Sequence, residues 1–396
     1  MAHYMTHYTI AVLPGDGTGR EVMTEGCALL DAIEANTSLS FNQIIIPCGG
    51  QYYQETGLEW PDGSFEVCRD DADAILLGAI GWPGVVCENG DLAGGQVVLG
   101  LRAGLELYAN VRPIKLYEGV QHKVHGDFQQ VWTPGKVDMV IVRENTEGLY
   151  HSLLHRSAMR ATGGGEYEPP AMDFPGMDGD VAWDPRPISR AGSKRVIEFA
   201  RKLVLLRNGS PDGVSKLTCV DKSNVTRGCQ LFRAVFDEMA EEWSDIEVDH
   251  AYIDAFTMWL VRNPEWFDVV VTSNMFGDIA TDLGSVLQGG MGMAASGNIG
   301  DNHAFFEPVH GSTPKYAGKQ KVNPIATLNS VQMMLEWLGY RNDDDEALKA
   351  AKTIDEAVAE HIINGEVLTY DLGGEASTTE VGSAIIARVV EKLKQL

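Results

Sequence analysis

Short apolar runs that alternate with stretches of helical periodicity constrain this chain more than any other feature. Runs of strand character lie at residues 8–13, 43–46, 74–77, 139–142, 216–220 and 267–272, and each is far too short to span a membrane. Such alternation predicts an α/β fold: a largely parallel or mixed sheet covered by helices, with ligands collecting beyond the carboxyl ends of the strands. At 396 residues the chain exceeds what one hydrophobic core usually serves, so two lobes with a cleft between them are expected. A final helix over 381–393 carries Ile385, Ile386, Val389, Val390 and Leu393 at helical spacing and should pack on a lobe. Residues 161–187 break the pattern. Rich in Gly, Pro and Asp, they read as a long loop or a protruding arm.

With 31 Lys and Arg against 56 Asp and Glu, the net charge is -25, and no basic cluster offsets it. Nucleic acid and anionic membrane are therefore poor partners, and any anionic substrate must be met by local arginines. Six cysteines, at 27, 48, 68, 87, 219 and 229, form no CxxC pair and no zinc spacing, which fits thiols in a reducing compartment. The start of the chain lacks the features of a secretory or mitochondrial leader, so a cytoplasmic location is expected.

Two local motifs carry chemistry of different weight. Glycines 15, 17 and 19 follow the first strand, but G-x-G-x-G is not the G-x-G-x-x-G of a dinucleotide-binding turn. Preceded by Pro14, they read as a tight turn into a helix that begins near Arg20, which counts against a Rossmann-type 2-hydroxy-acid dehydrogenase. Asp278 and Asp282 stand four residues apart after an apolar run, so both carboxylates share one face at the start of a helix. That geometry suits a hard divalent cation, although such a pair alone is more often a solvated surface feature.

The stretches LPGDGTGREV, LRAGLELYANVRP, RENTEGLY, DKSNVTRG, YIDAFTMWLV, TSNMFGDIATDL and EPVHGSTPKYAGKQKVNP, in this order, closely resemble the isocitrate/isopropylmalate dehydrogenase family of metal-dependent β-decarboxylating dehydrogenases. The resemblance implies a two-lobed fold with a mixed sheet and not a Rossmann fold. It assigns 1–107 and 289–396 to a large, cofactor-binding domain and 108–288 to a small dimerisation domain with an arm at about 150–187. It also implies roles for individual residues. Arg102, Arg112 and Arg143 match the family's carboxylate-binding arginines, and guanidinium forks suit carboxylates. Asp278 and Asp282, with Asp254 from the neighbouring subunit, match the ligands of Mg²⁺ or Mn²⁺, whose charge eases hydride loss from C2 and stabilises the enolate left by decarboxylation. Lys222 resembles the lysine that helps remove the hydroxyl proton, through water or with Asp254, and Tyr150 the tyrosine that protonates the enol carbon. Because Lys222 and Asp254 cross an interface, an obligate homodimer with shared sites is implied.

The cofactor segment resembles residues 307–323, with Glu307, His310, Gly311, Lys315, Tyr316 and Asn323, joined by Tyr370. An acid followed by an aliphatic residue usually accompanies NAD at the Lys315-Tyr316 position. Lysine and tyrosine there resemble the NADP users and favour NADP over NAD, although Gly374 stands where those enzymes often carry an arginine. Substrate choice resides just before Arg102, in a loop containing Gln96, Val98 and Leu99. Isocitrate enzymes present serine and asparagine there, which this chain lacks, whereas Val98 and Leu99 approach the leucine pair of isopropylmalate enzymes. Gly95 replaces their usual acid, and Gln96 suits some other polar substituent. The expectation is NAD(P)-dependent oxidative decarboxylation of an isopropylmalate-like 3-substituted malate, with isocitrate, homoisocitrate, malate and tartrate as alternatives. A noncatalytic regulatory subunit is disfavoured because Tyr150, Lys222, Asp254, Asp278 and Asp282 are all present. The arm would serve as an enlarged intersubunit clasp or as a flap.

Overall fold

Two parallel flanks joined by an antiparallel centre make the main sheet in the computed structural model, which describes residues 6–88, 90–162, 176–177, 179 and 181–395. Its strands are β1 (Thr6–Leu13), β2 (Leu39–Ile45), β3 (Ala74–Leu77), β4 (Ala109–Lys115), β7 (Asp138–Glu144), β8 (Lys216–Asp221), β9 (Glu247–Tyr252), β10 (Val269–Thr272), β11 (Ala295–Ile299) and β12 (Ala304–Pro308). A separate hairpin pairs β5 (His122–Val124) with β6 (Asp127–Gln129). The order across the sheet is β2-β1-β3-β12-β11-β4-β7-β10-β8-β9. Contacts β12·β11, β11·β4 and β4·β7 are antiparallel and the rest are parallel. This is the mixed sheet that the sequence predicts, and it departs from the parallel sheet of a doubly wound dinucleotide fold.

The helices are α1 (Thr18–Glu34), α2 (Gly50–Thr56), the single turn α3 (Ser64–Glu66), α4 (Gly95–Gly104), α5 (His151–Ala161), α6 (Arg190–Leu206), α7 (Arg227–Ala240), α8 (Ile253–Arg262), α9 (Asn274–Leu287), α10 (Ile325–Asn342), α11 (Asp345–Asn364) and α12 (Thr378–Leu393). β3 and β10 are buried at every position, as continuous apolar strands covered on both faces should be. The last helix begins at Thr378, earlier than its apolar spacing implies, because Ser377 and Glu380 close a reciprocal capping box ahead of the first core residue.

The glycine turn is structural. Its amides are consumed within the protein: Asp16 N–H donates to Ala79 O at 2.7 Å, Gly17 N–H to Gln51 Oε1 at 2.7 Å, Thr18 N–H to Ser312 O at 2.9 Å and Gly19 N–H to Asp16 O at 2.9 Å. Amides committed in this way do not cradle a phosphate.

The predicted arm needs correction at its start. Residues 151–161 are the helix α5, which buries Ser152, Leu154 and Ser157 and lies so close to α4 that a Cβ on Gly100 would stand 3.0 Å from Ala161 Cβ. Residues 163–175, 178 and 180 of the predicted arm lie outside the described residues. Among the described residues no helix is long and apolar enough to cross a membrane.

The antiparallel centre and the helix that follows β10 position the polar cluster described next. α9 packs under β4 and β7 through glycines: a Cβ on Gly277 would come within 2.6 Å of Arg143 Cβ, and one on Gly284 within 2.2 Å of Ile114 Cδ1. Only glycine permits so close an approach.

Candidate active site

Three arginines from three different elements converge at the edge of α9. Arg112, on β4, donates from Nη1 to Thr281 Oγ1 at 2.7 Å and to Asp282 Oδ1 at 3.3 Å, from Nη2 to Asp278 Oδ1 at 3.4 Å, and from Nε to Asn110 Oδ1 at 2.9 Å. Arg143, on β7, donates from Nη1 to Asp278 Oδ1 at 2.5 Å and from Nε and Nη2 to Asn274 Oδ1 at 3.0 and 2.5 Å. Arg102, on α4, donates from Nη2 to Glu307 Oε1 at 2.9 Å, and its Nε is buried without a partner among the described residues. All three are buried in the folded chain. Burial pulls the Arg143 guanidinium down to about 9, against the opposing charge of Asp278, and it remains a cation at neutral pH.

The acid pair lies on one face of α9, as its spacing predicts. Burial pushes Asp278 up, but Arg143, Arg112 and a hydrogen bond from Tyr150 more than offset it and hold the carboxyl below the usual aspartate range. Asp282 goes the other way: burial raises it, with Arg112 opposing and the charge of Asp278 adding to the rise. Tyr150 Oη donates to Asp278 Oδ2 at 3.1 Å, and burial and then Asp278 raise its hydroxyl above the ordinary value. The phenol therefore stays protonated at neutral pH, with its proton on the hydrogen bond to Asp278.

Lys222 and Asp254 form a second centre. Lys222 Nζ donates to Asp254 Oδ1 at 2.7 Å, and this bond is the leading cause that holds Asp254 below the usual aspartate range. Asp254 opens α8 and its side chain is 68% exposed, so a neighbouring molecule can reach it. Among the described residues no three His, Cys, Asp or Glu side chains gather closely enough to hold a metal. Within one chain, then, Asp278 and Asp282 are not joined by Asp254.

Gln96, Val98 and Leu99 sit in the first turns of α4 and not in a loop, because the segment is continuously helical up to Arg102. Val98 and Leu99 precede Arg102 by four and three residues and so share its helix face. Glu307 joins the arginine cluster through Arg102 and also accepts from Asn298 Nδ2 at 2.9 Å. His310 is half-buried. Burial lowers its imidazole below the ordinary value, and its Nε2 has no partner among the described residues. Gly311 and Lys315 are exposed, Tyr316 meets Tyr370 in a tilted ring contact at 5.4 Å between centroids, and Asn323 Nδ2 donates to Asp371 Oδ2 at 3.1 Å. Gly374 is sterically closed: a Cβ there would stand 2.0 Å from Leu368 O, so no arginine fits without a backbone shift.

Four residues of this cluster were not foreseen. Asn110 donates from Nδ2 to Ser296 Oγ at 2.8 Å and Asn298 Oδ1 at 2.9 Å, Asn274 holds the Arg143 fork, and Glu59 accepts from the amides that open α4. Asn110 and Asn298 lie in stretches that their own polar, Gly and Pro residues keep from reading as strands, so no pattern marked them. Asn274 and Glu59 gave no signal either.

The sequence profile described as "Isocitrate/isopropylmalate dehydrogenase" matches residues 9–385. The chain is 40% identical to a 3-isopropylmalate dehydrogenase of Thermobifida fusca, over 97% of this chain and 98% of that one. It is 36% identical to a 3-isopropylmalate/3-methylmalate dehydrogenase of Methanocaldococcus jannaschii, over 97% and 100% respectively. Among solved structures, the isocitrate dehydrogenase of Methylococcus capsulatus superposes with a TM-score of 0.76 at 31% identity, covering 96% of this chain and 99% of that one. A β-decarboxylating dehydrogenase of Thermococcus kodakarensis gives 0.73 at 35% identity, covering 98% and 97%. Fold, motif order and full-length identity agree, and the chain belongs to the isocitrate/isopropylmalate dehydrogenase family.

Proposed function

We propose that the chain oxidises and decarboxylates a malate with an alkyl group on C3, isopropylmalate-like, using a nicotinamide cofactor. The observation that carries this reading is the convergence of three buried arginines beside Asp278 and Tyr150, with Val98 and Leu99 on the helix face of Arg102. Two carboxylates can be held by the forks of Arg102, Arg112 and Arg143, while the apolar face takes the C3 substituent. The Lys222–Asp254 pair of a second copy accepts the proton of the C2 hydroxyl as hydride passes from C2 to the nicotinamide ring. The C3 carboxylate then leaves as carbon dioxide, its bonding electrons remain on C3, and Tyr150 delivers its proton there. The names of the relatives add 3-isopropylmalate and 3-methylmalate as substrates of those proteins, both alkyl-substituted.

Asp278 and Asp282 offer the hard oxygen donors that Mg²⁺ or Mn²⁺ prefers, and the ion would be completed by Asp254 of a second copy and by substrate oxygens. When bound, it supplies Lewis acidity toward the substrate's oxygens. A homodimer is supported by exposed apolar side chains on three neighbouring elements: Val248 and Tyr252 on β9, Met258 and Val261 on α8, Ile279 and Val286 on α9. The same reading makes residues 1–107 and 289–396 the cofactor lobe and 108–288 the dimerising lobe.

For the cofactor, the unpartnered Nε2 of His310 and the exposed Lys315 beside the Tyr316-Tyr370 ring pair support a nucleotide, and NADP over NAD. The test follows nicotinamide reduction by purified protein with Mn²⁺, offering isopropylmalate, isocitrate, homoisocitrate, malate and tartrate with each cofactor. The highest kcat/KM should fall on isopropylmalate. A clear preference for isocitrate would overturn the assignment of Val98 and Leu99.

A further inference from the structure

The opening of α4 lacks a cap of its own. Its N-cap residue is Gly94, which has no side chain to receive the first free amides of the helix. Gly94 also has a φ of +104°, and a Cβ there would meet Ile80 Cγ2 at 2.4 Å, so a local Ser or Asp is barred. The acceptor comes instead from Glu59, which is 5% exposed: its Oε2 accepts from Gly94 N–H at 2.9 Å and from Gln96 N–H at 2.7 Å. A carboxylate is the strongest acceptor for this position, because its charge also meets the positive end of the helix. The other oxygen, Oε1, accepts from Cys87 Sγ at 3.3 Å and faces Arg160 Nη2 at 3.8 Å. Arg160 pairs in turn with Asp91 at 3.5 Å, which also accepts from Arg156 Nη2 at 3.1 Å. Arg156 and Arg160 lie on α5, the helix that starts directly after Tyr150. One buried acid thus joins the start of the helix bearing Gln96, Val98, Leu99 and Arg102 to the helix that continues from Tyr150.

We infer that Glu59 is a positioning residue for substrate selection, fixing the first turn of α4 and thereby where Gln96, Val98 and Leu99 stand relative to Arg102, with Arg160 as its clamp. The inference rests on the substrate reading above, in which those side chains meet the C3 substituent. Glu59 touches no reacting atom.

The test compares Glu59→Ala, Glu59→Gln and Arg160→Leu with the parent enzyme, all as full chains with Mn²⁺ and cofactor. The first readout is the ratio of kcat/KM for isopropylmalate to that for malate, which has no C3 group. Loss of a cap is expected to lower this ratio about tenfold in Glu59→Ala, chiefly through KM for isopropylmalate. Glu59→Gln, which keeps one oxygen acceptor, should recover to within about threefold of the parent, and Arg160→Leu should fall between the two. An equal fall for both substrates would mean a merely structural role and overturn the inference, as would an unchanged ratio. The second readout is amide hydrogen exchange without substrate: Gly94 and Gln96 should exchange about tenfold faster in Glu59→Ala, and within about threefold of the parent in Glu59→Gln, while α12 amides do not change. If the parent oxidises neither substrate, the substrate reading falls by itself, and the exchange rates decide whether Glu59 anchors α4.

Discussion

Asn274→Ala removes the acceptor that orients the most deeply buried of the three guanidinium groups. Asn274 and Arg143 are each 1% exposed. The amide accepts from Arg143 Nε at 3.0 Å and Nη2 at 2.5 Å, and donates from Nδ2 to Glu147 O at 2.8 Å. Alanine leaves two cationic N–H groups and one carbonyl without partners. Hydrogen bonds to charged groups contribute about 1.5–3 kcal/mol each and a neutral one about 1, which gives an upper bound of about 4–7 kcal/mol. Two effects reduce it: Nη1 keeps its bond to Asp278, whose side chain is 34% exposed, and water can enter the vacated volume from that side. The expected destabilisation is therefore about 2–4 kcal/mol. Urea unfolding at a fixed protomer concentration measures it, since the stability of an oligomer moves with concentration. The freed fork should also raise KM for the hydroxy acid about tenfold, with kcat changed less. Asn274→Asp, which keeps an oxygen toward the guanidinium, should retain most of the stability. A loss below about 1 kcal/mol in the alanine variant, with KM unchanged, would refute the reasoning and mean that Asp278 alone sets the fork.

Three further outcomes follow from the same geometry. Gly277→Ala places a Cβ 2.6 Å from Arg143 Cβ and 2.7 Å from its Cγ, so kcat/KM should fall at least about tenfold and stability by about 1–3 kcal/mol, measured by steady-state kinetics and urea unfolding. Tyr150→Phe should lower kcat about a hundredfold with little change in KM, as expected for loss of a general acid. Because burial and then Asp278 raise the Tyr150 hydroxyl above its ordinary 10, its contribution to stability is complete below that value and is lost only as pH rises through the higher folded value, so a fall in kcat that begins below pH 10 should persist in Tyr150→Phe and follow Arg143, which burial pulls down to about 9. Lys315→Glu should lower the NADP-to-NAD ratio of kcat/KM at least about tenfold, less at high salt because the side chain is exposed.

The parts of the fold legible in the sequence are those where one strand's own residues decide its burial. β3 and β10 read directly as apolar runs. β4 did not, because Asn110, Arg112 and Pro113 interrupt it, and β11 did not, because Ser296, Gly297 and Asn298 look like a turn. These residues belong to strands only once their neighbours are known: Asn110 stands in register with Asn298 on one side and Arg143 on the other, and its side chain is satisfied by Ser296 and Asn298 on β11 and by Arg112 on its own strand. Pro113 lies past the end of the β11 ladder, where its missing N–H interrupts no pairing on that side. α5 fell within the expected arm at about 150–187, although its buried Leu154 and Ser157 stand at helical spacing.

The candidate site divides in the same way. Arg102, Arg112 and Arg143 were marked only by motifs that resemble the family's, and Asp278 and Asp282 by their four-residue spacing as well. The residues that set the distances between them were not, since each acts on a partner far away in the chain. Arg102 donates to Glu307, Glu307 accepts from Asn298, Asn298 accepts from Asn110, and Asn110 accepts from Arg112, a continuous hydrogen-bonded chain through the antiparallel centre of the sheet. The positions of Arg102 and Arg112 are therefore coupled, and in the proposed reading a C3 substituent that displaced α4 would be felt at the carboxylate assigned to Arg112. A reading that treats each arginine by its motif finds the charges but not this coupling. It follows that substitutions at Asn110 or Asn298, though neither meets the substrate in this reading, should raise KM as much as substitutions on the apolar face of α4.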